Sequence, residues 1–428
     1  MAKIVADLHL HSSYARATSR NLNFDTITAW ARLKGIDLLS SADFTHPLWF
    51  AETKAKLKDD GDGLFSYGGF KFILGAEVSC IFSQGGKLRR VHLLLYAPSL
   101  KAAEKINLEL GKRGKLASDG RPILGLTAKT VLEIILEADR NSMMIPAHAW
   151  TPWFGVLGQN GGFNSLEECF GDLAGYIYAI ETGLSSDPAM NWRVKELDNR
   201  SIVSFSDAHS APKMGRELTI FDGNLTYSDL LGSLREQKIS STVEFFPEEG
   251  KYHYNGHRNC NFKETPSDTL KRGLLCPNCG RALTIGVMHR VEQLAEKDRP
   301  EGYLAEKRPA FSKMVPLLEI LSEANGWPVA SNKTSDLYNN LIKEFGSELS
   351  ILTEVPTSEV GNERLSEALG KVRSGDIYID PGYDGVYGEV HIWPKTEGGK
   401  EGKIAERRVK KEPIAEAKNS DKNQLNLF

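Results

Sequence analysis

Asp7-Leu8-His9-Leu10-His11 closes an apolar N-terminal run, Ile4-Val5-Ala6. Along an extended strand side chains alternate faces, so Asp7, His9 and His11 share one face and Ala6, Leu8 and Leu10 the other. Three metal-capable side chains then converge over an apolar face left for packing. Much later, Ser206-Asp207-Ala208-His209 again places an acid and an imidazole two residues apart. Asp43, Glu77 and His148 each stand at the end of an apolar run. A His/Asp/Glu set without cysteine suits zinc, manganese, magnesium or iron, and mixed nitrogen and oxygen ligands often hold more than one ion. Such a site lowers the pKa of bound water and clamps phosphate oxygens, which is the equipment for phosphoester hydrolysis.

The elements that must bring these residues together alternate between strand and helix signals. Asn23 is placed to cap a helix carrying Phe24, Ile27, Trp30 and Ala31 that Gly35 ends. Ile36 to Ser40 reads as a buried strand before Asp43, Phe70 to Ala76 as a strand ending at Glu77, and Val91 to Tyr96 as a strand carrying His92. Thr127 caps a further helix. Met143 to Pro146, Tyr176 to Ile180 and Ser201 to Phe205 read as strands ending at His148, Glu181 and Asp207, with a helix over Asp187 to Leu197. Apolar strand, polar residue at its C-terminal end, then loop and helix is the logic of a parallel β/α barrel, whose active site gathers at the C-terminal strand ends. His9, His11, Asp43, Glu77, His148, Asp207 and His209 are therefore the expected barrel metal ligands, with His9, His11, His148 and Asp207 central to catalysis. His92 reads equally as a core histidine or a ligand. Glu181 reads as a ligand, an orienting carboxylate or a helix cap, and His46 sits in an open loop.

Beyond about residue 245 the composition shifts. His257-x2-Cys260 and Cys276-x2-Cys279 are paired knuckles, the spacing of a closed structural zinc site. Seven Lys or Arg stand between Lys251 and Arg290, against Glu264 and Asp268. Arg258, Lys263, Lys271, Arg272 and Arg281 are placed to meet phosphates. Gly286 to Arg290 reads as a strand running into a turn. Helices near Val315 to Leu321, Thr334 to Phe345 and Gly361 to Arg373, then strands at Ile377 to Ile379 and Val386 to Ile392, make a small α+β region. The expected division is a catalytic barrel over 1–245, a zinc module over 246–300, an α+β region over 301–395 with a DNA-holding role, and a disordered tether over 396–428.

The chain has 428 residues, 41% hydrophobic and 25% charged, enough for a sizeable core. A net charge of -3 excludes a wholly basic nucleic-acid binder, so any such surface is local. Five cysteines, three of them clustered, favour a metal site in a reducing compartment over a disulfide framework. No apolar run reaches membrane-spanning length, so no membrane partner is expected.

DLHLH followed by SDAH resembles the polymerase-and-histidinol-phosphatase (PHP) superfamily of metal-dependent phosphoesterases. The resemblance implies a distorted seven-stranded β/α barrel with a divalent metal cluster, held here by His9, His11, Glu77, His148, Asp207 and His209. The second motif departs from the family's Thr-Asp-His: Ser41-Ala42-Asp43-Phe44 puts Phe44 in the histidine's place. Pro146 to Phe154, Glu181 to Pro188 and Ser206 to Arg216 are similar to the endonuclease Q family of DNA repair endonucleases. That implies cleavage 5′ of uracil, hypoxanthine, xanthine and abasic sites, with the damaged base flipped out for inspection. Trp150, Trp153 and Phe154 are then candidates to stack on that base, or to pack in the core. The terminal Gln424-Leu425-Asn426-Leu427-Phe428 resembles the bacterial sliding-clamp-binding pentapeptide, with Gln424 as polar anchor, Leu425 beside it and Leu427 and Phe428 as apolar anchors. Together these imply a cytoplasmic, nucleoid-associated bacterial enzyme acting on damaged DNA. The alternatives are a histidinol-phosphate-type small-molecule phosphatase and a non-catalytic PHP scaffold that binds DNA.

Overall fold

The computed structural model describes residues 3–223 and 226–394. The expected tether and its clamp peptide, Gln424 to Phe428, lie outside the described residues.

Ten strands carry the fold: β1 (Lys3–Asp7), β2 (Leu38–Ser40), β3 (Phe70–Gln84), β4 (Lys87–Ala97), β5 (Met143–Pro146), β6 (Ala179–Glu181), β7 (Ser201–Val203), β8 (Leu218–Asp222), β9 (Ile239–Glu244) and β10 (Ala310–Lys313). Hydrogen-bonded neighbours run β10-β9-β8-β1-β2-β3-β4-β5, and β6 pairs with β7 in a separate two-stranded sheet. Every one of β1 to β8 sends a side chain into one apolar cluster, among them Ala6, Leu38, Ile73, Leu94, Ile145, Ala179, Val203 and Phe221. Alternate residues such as Leu39, Phe72, Leu93, Met144, Ile180 and Ile202 join a second cluster against the helices. The strands are thus buried on both faces, as in sheets covered by helices. The strands are not all parallel, which departs from the expected parallel arrangement. Among these ten strands β1-β2-β3, β6-β7 and β9-β10 run parallel, and β4, β5 and β8 pair antiparallel. Among the described residues no ladder joins β5 to β6 or β7 to β8.

The main departure is β3, which continues through Glu77 to Gln84 and turns at Gly85-Gly86 into β4. Both glycines have positive φ, 60° and 71°, as tight hairpin turns require. Glu77 therefore sits mid-strand opposite Leu94, and His92 lies opposite Ser79. The helix Phe24–Lys34 forms as expected, with Asn23 accepting from Thr26 N and Gly35 left-handed at φ 80°. The expected helix over Asp187 to Leu197 is broken into Pro188–Trp192 and a 3-10 turn, Lys195–Asn199. Gly286 to Arg290 is no strand: Val287–Leu294 is a helix with Val287 and Val291 buried one turn apart.

Residues beyond 300 are stitched into the rest. β10 extends the main sheet beside β9. Helices Leu317–Asn325, Asn332–Phe345, Glu348–Thr353 and Glu363–Ser374 pack as a layer. Lys34 Nζ meets Glu348 Oε2 at 2.6 Å with both side chains buried, and Tyr338 donates to the same oxygen at 2.8 Å.

Candidate active site

His9 and His11 follow β1 and stay buried, at 1% and 0% exposure. His11 Nε2 lies 3.1 Å from both Asp207 Oδ1 and Glu77 Oε2, and His9 Nε2 lies 3.4 Å from the same two oxygens. The donor atoms of His9, His11, Glu77 and Asp207 all fall within 4.8 Å of one another, as do those of Glu77, His92 and His148. Glu77 thus faces two donor groups, Oε2 toward the first and Oε1 toward the second, at 2.7 Å from His92 Nδ1 and 3.2 Å from His148 Nε2. Strand alternation in the β3–β4 hairpin puts Glu77 and His92 on the same side, and the turn after β5 brings in His148.

The backbone is strained where it presents these residues. Ala42, Asp43, His148 and Asp207 have φ of 57°, 38°, 30° and 46°, left-handed values costly for residues with a Cβ and frequent at functional sites. Gly183 is required beside them, because a Cβ there would stand 2.3 Å from His148 Cβ.

Carboxylates outside the cluster hold the rings. His9 Nδ1 donates to Glu181 Oε1 at 2.9 Å, and His11 Nδ1 donates to Asp43 Oδ1 at 3.1 Å. Each bond places the ring proton on Nδ1 and turns the Nε2 lone pair inward, the arrangement of ligating histidines. Asp43 is further fixed by Ser12, whose N and Oγ both donate to Oδ2 at 2.6 Å. Asp43 therefore stands behind His11 rather than among the inward-facing donors, which departs from its expected place as a ligand. Asp7 also faces elsewhere. Its two oxygens accept from Ser206 N and Gly215 N at 3.0 Å and so anchor the loop carrying Asp207. Burial pushes the Asp7 carboxyl up to about 6.

Charge balance supports cation binding. Burial opposes ionisation of Glu77, yet Arg121, His92 and His9 hold it well below the usual carboxylate range. Burial likewise opposes charge on His9, but Glu181, Asp207 and Glu77 drive its pKa well above the ordinary value. This is a pocket of excess negative charge that draws protons when no metal competes. His9 Nε2, His92 Nε2 and Asp207 Oδ2 are buried without a hydrogen-bond partner among the described residues. Buried polar atoms of native proteins are rarely left so, and divalent ions fit these donors.

Two residues of the cluster carried little or no local signal. His92 read as either core or ligand. Arg121, which donates to Glu77 Oε2 at 3.0 Å, lies in a loop with no periodic pattern. His209 packs its ring 4.6 Å from that of His11 and lies 3.5 Å from Asp207 Oδ1, at the edge of the cluster. The aromatic loop after His148 is mostly core: Trp150 is fully buried and donates to Asn191 Oδ1 at 2.7 Å, and Phe154 packs 4.4 Å from His92. Neither offers a free face to a base. Trp153 is half-buried against Tyr252.

His257, Cys260, Cys276 and Cys279 also bring their donor atoms within 4.8 Å of one another. A hairpin, Asn255–His257 with Phe262–Glu264, carries the first knuckle. The second closes by Gly280 N donating to Cys276 O at 2.8 Å, with Gly280 at φ 71°. Three thiols and an imidazole fit a tetrahedral zinc ion. Arg272, expected on DNA, is exposed and engaged locally: Nε donates to Glu264 Oε2 at 2.9 Å and the guanidinium lies over Phe262. Lys263 is held by Asp380 and Pro381 O. Arg258, Lys271 and Arg281 remain exposed. Arg290 ties the following helix to the loop after His148, donating to Leu157 O, Phe163 O and Asn164 Oδ1 at 2.9–3.0 Å.

No helix among the described residues is long and apolar enough to cross a membrane. A family model described as the MJ0043 C-terminal domain matches residues 316–376. Uncharacterized protein MJ0043 of Methanocaldococcus jannaschii is 28% identical over 260 residues, which are 58% of this chain and 32% of that protein. The chain thus spans about a third of that relative's length. The fold is similar to the crystal structure of the novel lesion-specific endonuclease PfuEndoQ from Pyrococcus furiosus, with a TM-score of 0.81 and 31% identity over 91% of this chain and 95% of that one. It is equally similar to a crystal structure of endonuclease Q in complex with a 27-mer duplex substrate carrying an abasic lesion at the active site: TM-score 0.80 and 32% identity, over 92% and 97% of the two chains. With this identity sustained across nearly the whole of both folds, the chain belongs to the endonuclease Q family.

Proposed function

We propose that this protein is a DNA repair endonuclease. It hydrolyses the phosphodiester on the 5′ side of deaminated bases (uracil, hypoxanthine, xanthine) and abasic sites. The observation that carries the reading is the buried pair of donor groups sharing Glu77, in a chain whose relative binds an abasic duplex at its active site.

His9, His11, Glu77 and Asp207 would hold one divalent ion, and Glu77, His92 and His148 a second. When bound, such ions supply a water of lowered pKa and neutralise charge on the phosphate. The protein's residues do the rest. Glu181 and Asp43 keep His9 and His11 in the coordinating tautomer. Asp7 and Arg216 hold the Asp207 turn, Arg216 Nε donating to Ser206 O at 2.8 Å. Arg121 is paired with Glu77 and would offer its guanidinium to an incoming phosphate. Water oxygen bonds to phosphorus as the bond to the 3′ oxygen breaks, leaving a 3′-hydroxyl and a 5′-phosphate. The Cys3His group supports a structural zinc, with Arg258, Lys271 and Arg281 free to meet the backbone. The terminal peptide Gln424 to Phe428 supports docking on a sliding clamp.

The test is nicking of labelled duplexes carrying one uracil, hypoxanthine or abasic site, with manganese or magnesium, beside an undamaged duplex and an Asp207→Asn variant. A single nick just 5′ of the lesion, absent in both controls, is expected. Phosphate release from a small monoester with no nick on any duplex overturns the reading in favour of a phosphatase. Binding without cutting overturns it in favour of a scaffold.

A further inference from the structure

We propose that Tyr14 is the stacking platform for the extruded base of the lesion, set in a basic rim that holds the flanking phosphates; this rests on the DNA repair reading above. The loop from Ser12 to Leu22 leaves the ligand strand immediately after His11. Ser12 is bonded to Asp43 and Asp43 to His11, so two side chains separate this loop from the donor cluster. Around the cluster Phe44, Trp49 and Trp150 are fully buried and Phe154 nearly so. Tyr14 instead stands 38% exposed. One face of its ring is backed by the His46 ring, centroids 4.5 Å apart at 29°. A ring supported on one side and open to solvent is what a base needs to continue the stack.

The rim is built to stay in place. Tyr14 O accepts from Gly120 N at 3.0 Å, and Arg16 N donates to Asp119 Oδ1 at 3.0 Å, so the loop over residues 112–121 closes against the Tyr14 loop. Gly120 has no room for a side chain, since a Cβ would lie 2.4 Å from Asp43 Oδ2. The next residue, Arg121, reaches Glu77. The two loops carry Arg16, Arg20, Lys112, Arg113, Lys115 and Arg121 against one acid, Asp119, in a chain of net charge -3. Arg16 is 66% exposed, and Arg20, Arg113 and Lys115 are exposed with it. Local positive charge beside an aromatic face is the pairing that holds single-stranded nucleotides.

A lesion with a base engages such a platform and an abasic lesion does not. The experiment compares wild type, Tyr14→Ala and Tyr14→Phe on the uracil duplex and the abasic duplex under single-turnover conditions with manganese. Thermal melts confirm that each variant is folded. Tyr14→Ala should slow uracil nicking at least about tenfold more than abasic nicking, the scale of one lost base–aromatic stack. Tyr14→Phe, which keeps the ring, should nick both within about twofold of wild type. Equal slowing of both duplexes by Tyr14→Ala, or no slowing, overturns the platform while leaving the repair reading intact. Wild type that nicks neither duplex overturns both.

Discussion

Asp43→Asn separates an orienting role from direct ligation. Ser12 N and Oγ both donate to Asp43 Oδ2 at 2.6 Å, so an asparagine there must keep its oxygen toward Ser12. Its NH2 then faces His11 Nδ1, where Asp43 Oδ1 now accepts at 3.1 Å. An amide that donates to Nδ1 forces the imidazole proton onto Nε2, the nitrogen 3.1 Å from Asp207 Oδ1 and Glu77 Oε2. The lone pair needed for a metal is then occupied. Loss of such a carboxylate partner typically weakens metal binding about 10–100-fold, or roughly 1.4–2.8 kcal/mol. The assay is the single-turnover nicking rate against manganese concentration. The half-saturating concentration should rise by about 10–100-fold while the rate at saturating metal returns to near wild type. An unchanged half-saturation refutes the tautomer argument. A loss that saturating metal does not restore refutes it too, and would make Asp43 a ligand.

Burial pushes the Glu244 carboxyl up to about 7, and the neighbouring Glu217, just before β8, is raised as well. A carboxyl raised in the folded state contributes its full stability below the unfolded value of about 4.5 and loses it as pH rises through about 7. Glu244→Gln should therefore flatten the fall in melting temperature between those pH values, which amounts to roughly 3 kcal/mol; an unchanged slope counts against a raised carboxyl. Glu348→Ala strands Lys34, buried at 3% exposure, and should cost about 3–5 kcal/mol in chemical denaturation. The paired Lys34→Met, Glu348→Leu change should cost clearly less, and equal losses would show that packing rather than charge matters there. Cys276→Ser should release one zinc per chain by elemental analysis and raise protease sensitivity within 246–300, with no change in zinc content as the contrary result.

Short-range chemistry was legible in the amino-acid order. Period-two alternation placed His9 and His11 on one face, because strand geometry needs only neighbouring residues. The knuckle spacing of His257, Cys260, Cys276 and Cys279 likewise reflects local loop geometry, and Asn23, Gly35 and Thr127 cap where their side chains and backbones allow. A period of 3.6 was also present in Val287, Val291 and Leu294, hidden behind Gly286, which precedes the helix rather than continuing a strand.

Tertiary structure alone decided the rest. Glu77 interrupts an apolar run and so resembles a strand end, but its charge is matched by Arg121, His9 and His92 from elsewhere in the chain, and the strand runs on through it. His92 joins the second donor group only because β3 and β4 form one hairpin. Asp43 and Asp7 have the residue type of ligands and became supports, because backbone amides and imidazole Nδ1 atoms reach their oxygens first. Trp150 looks like a DNA contact in the sequence and is core in the fold, where Asn191 satisfies its indole N–H, while Arg272 stays exposed with Glu264 as its partner. A side chain's type limits what it can do; which partner completes its hydrogen bonds and charge, often a hundred residues away, determines what it does.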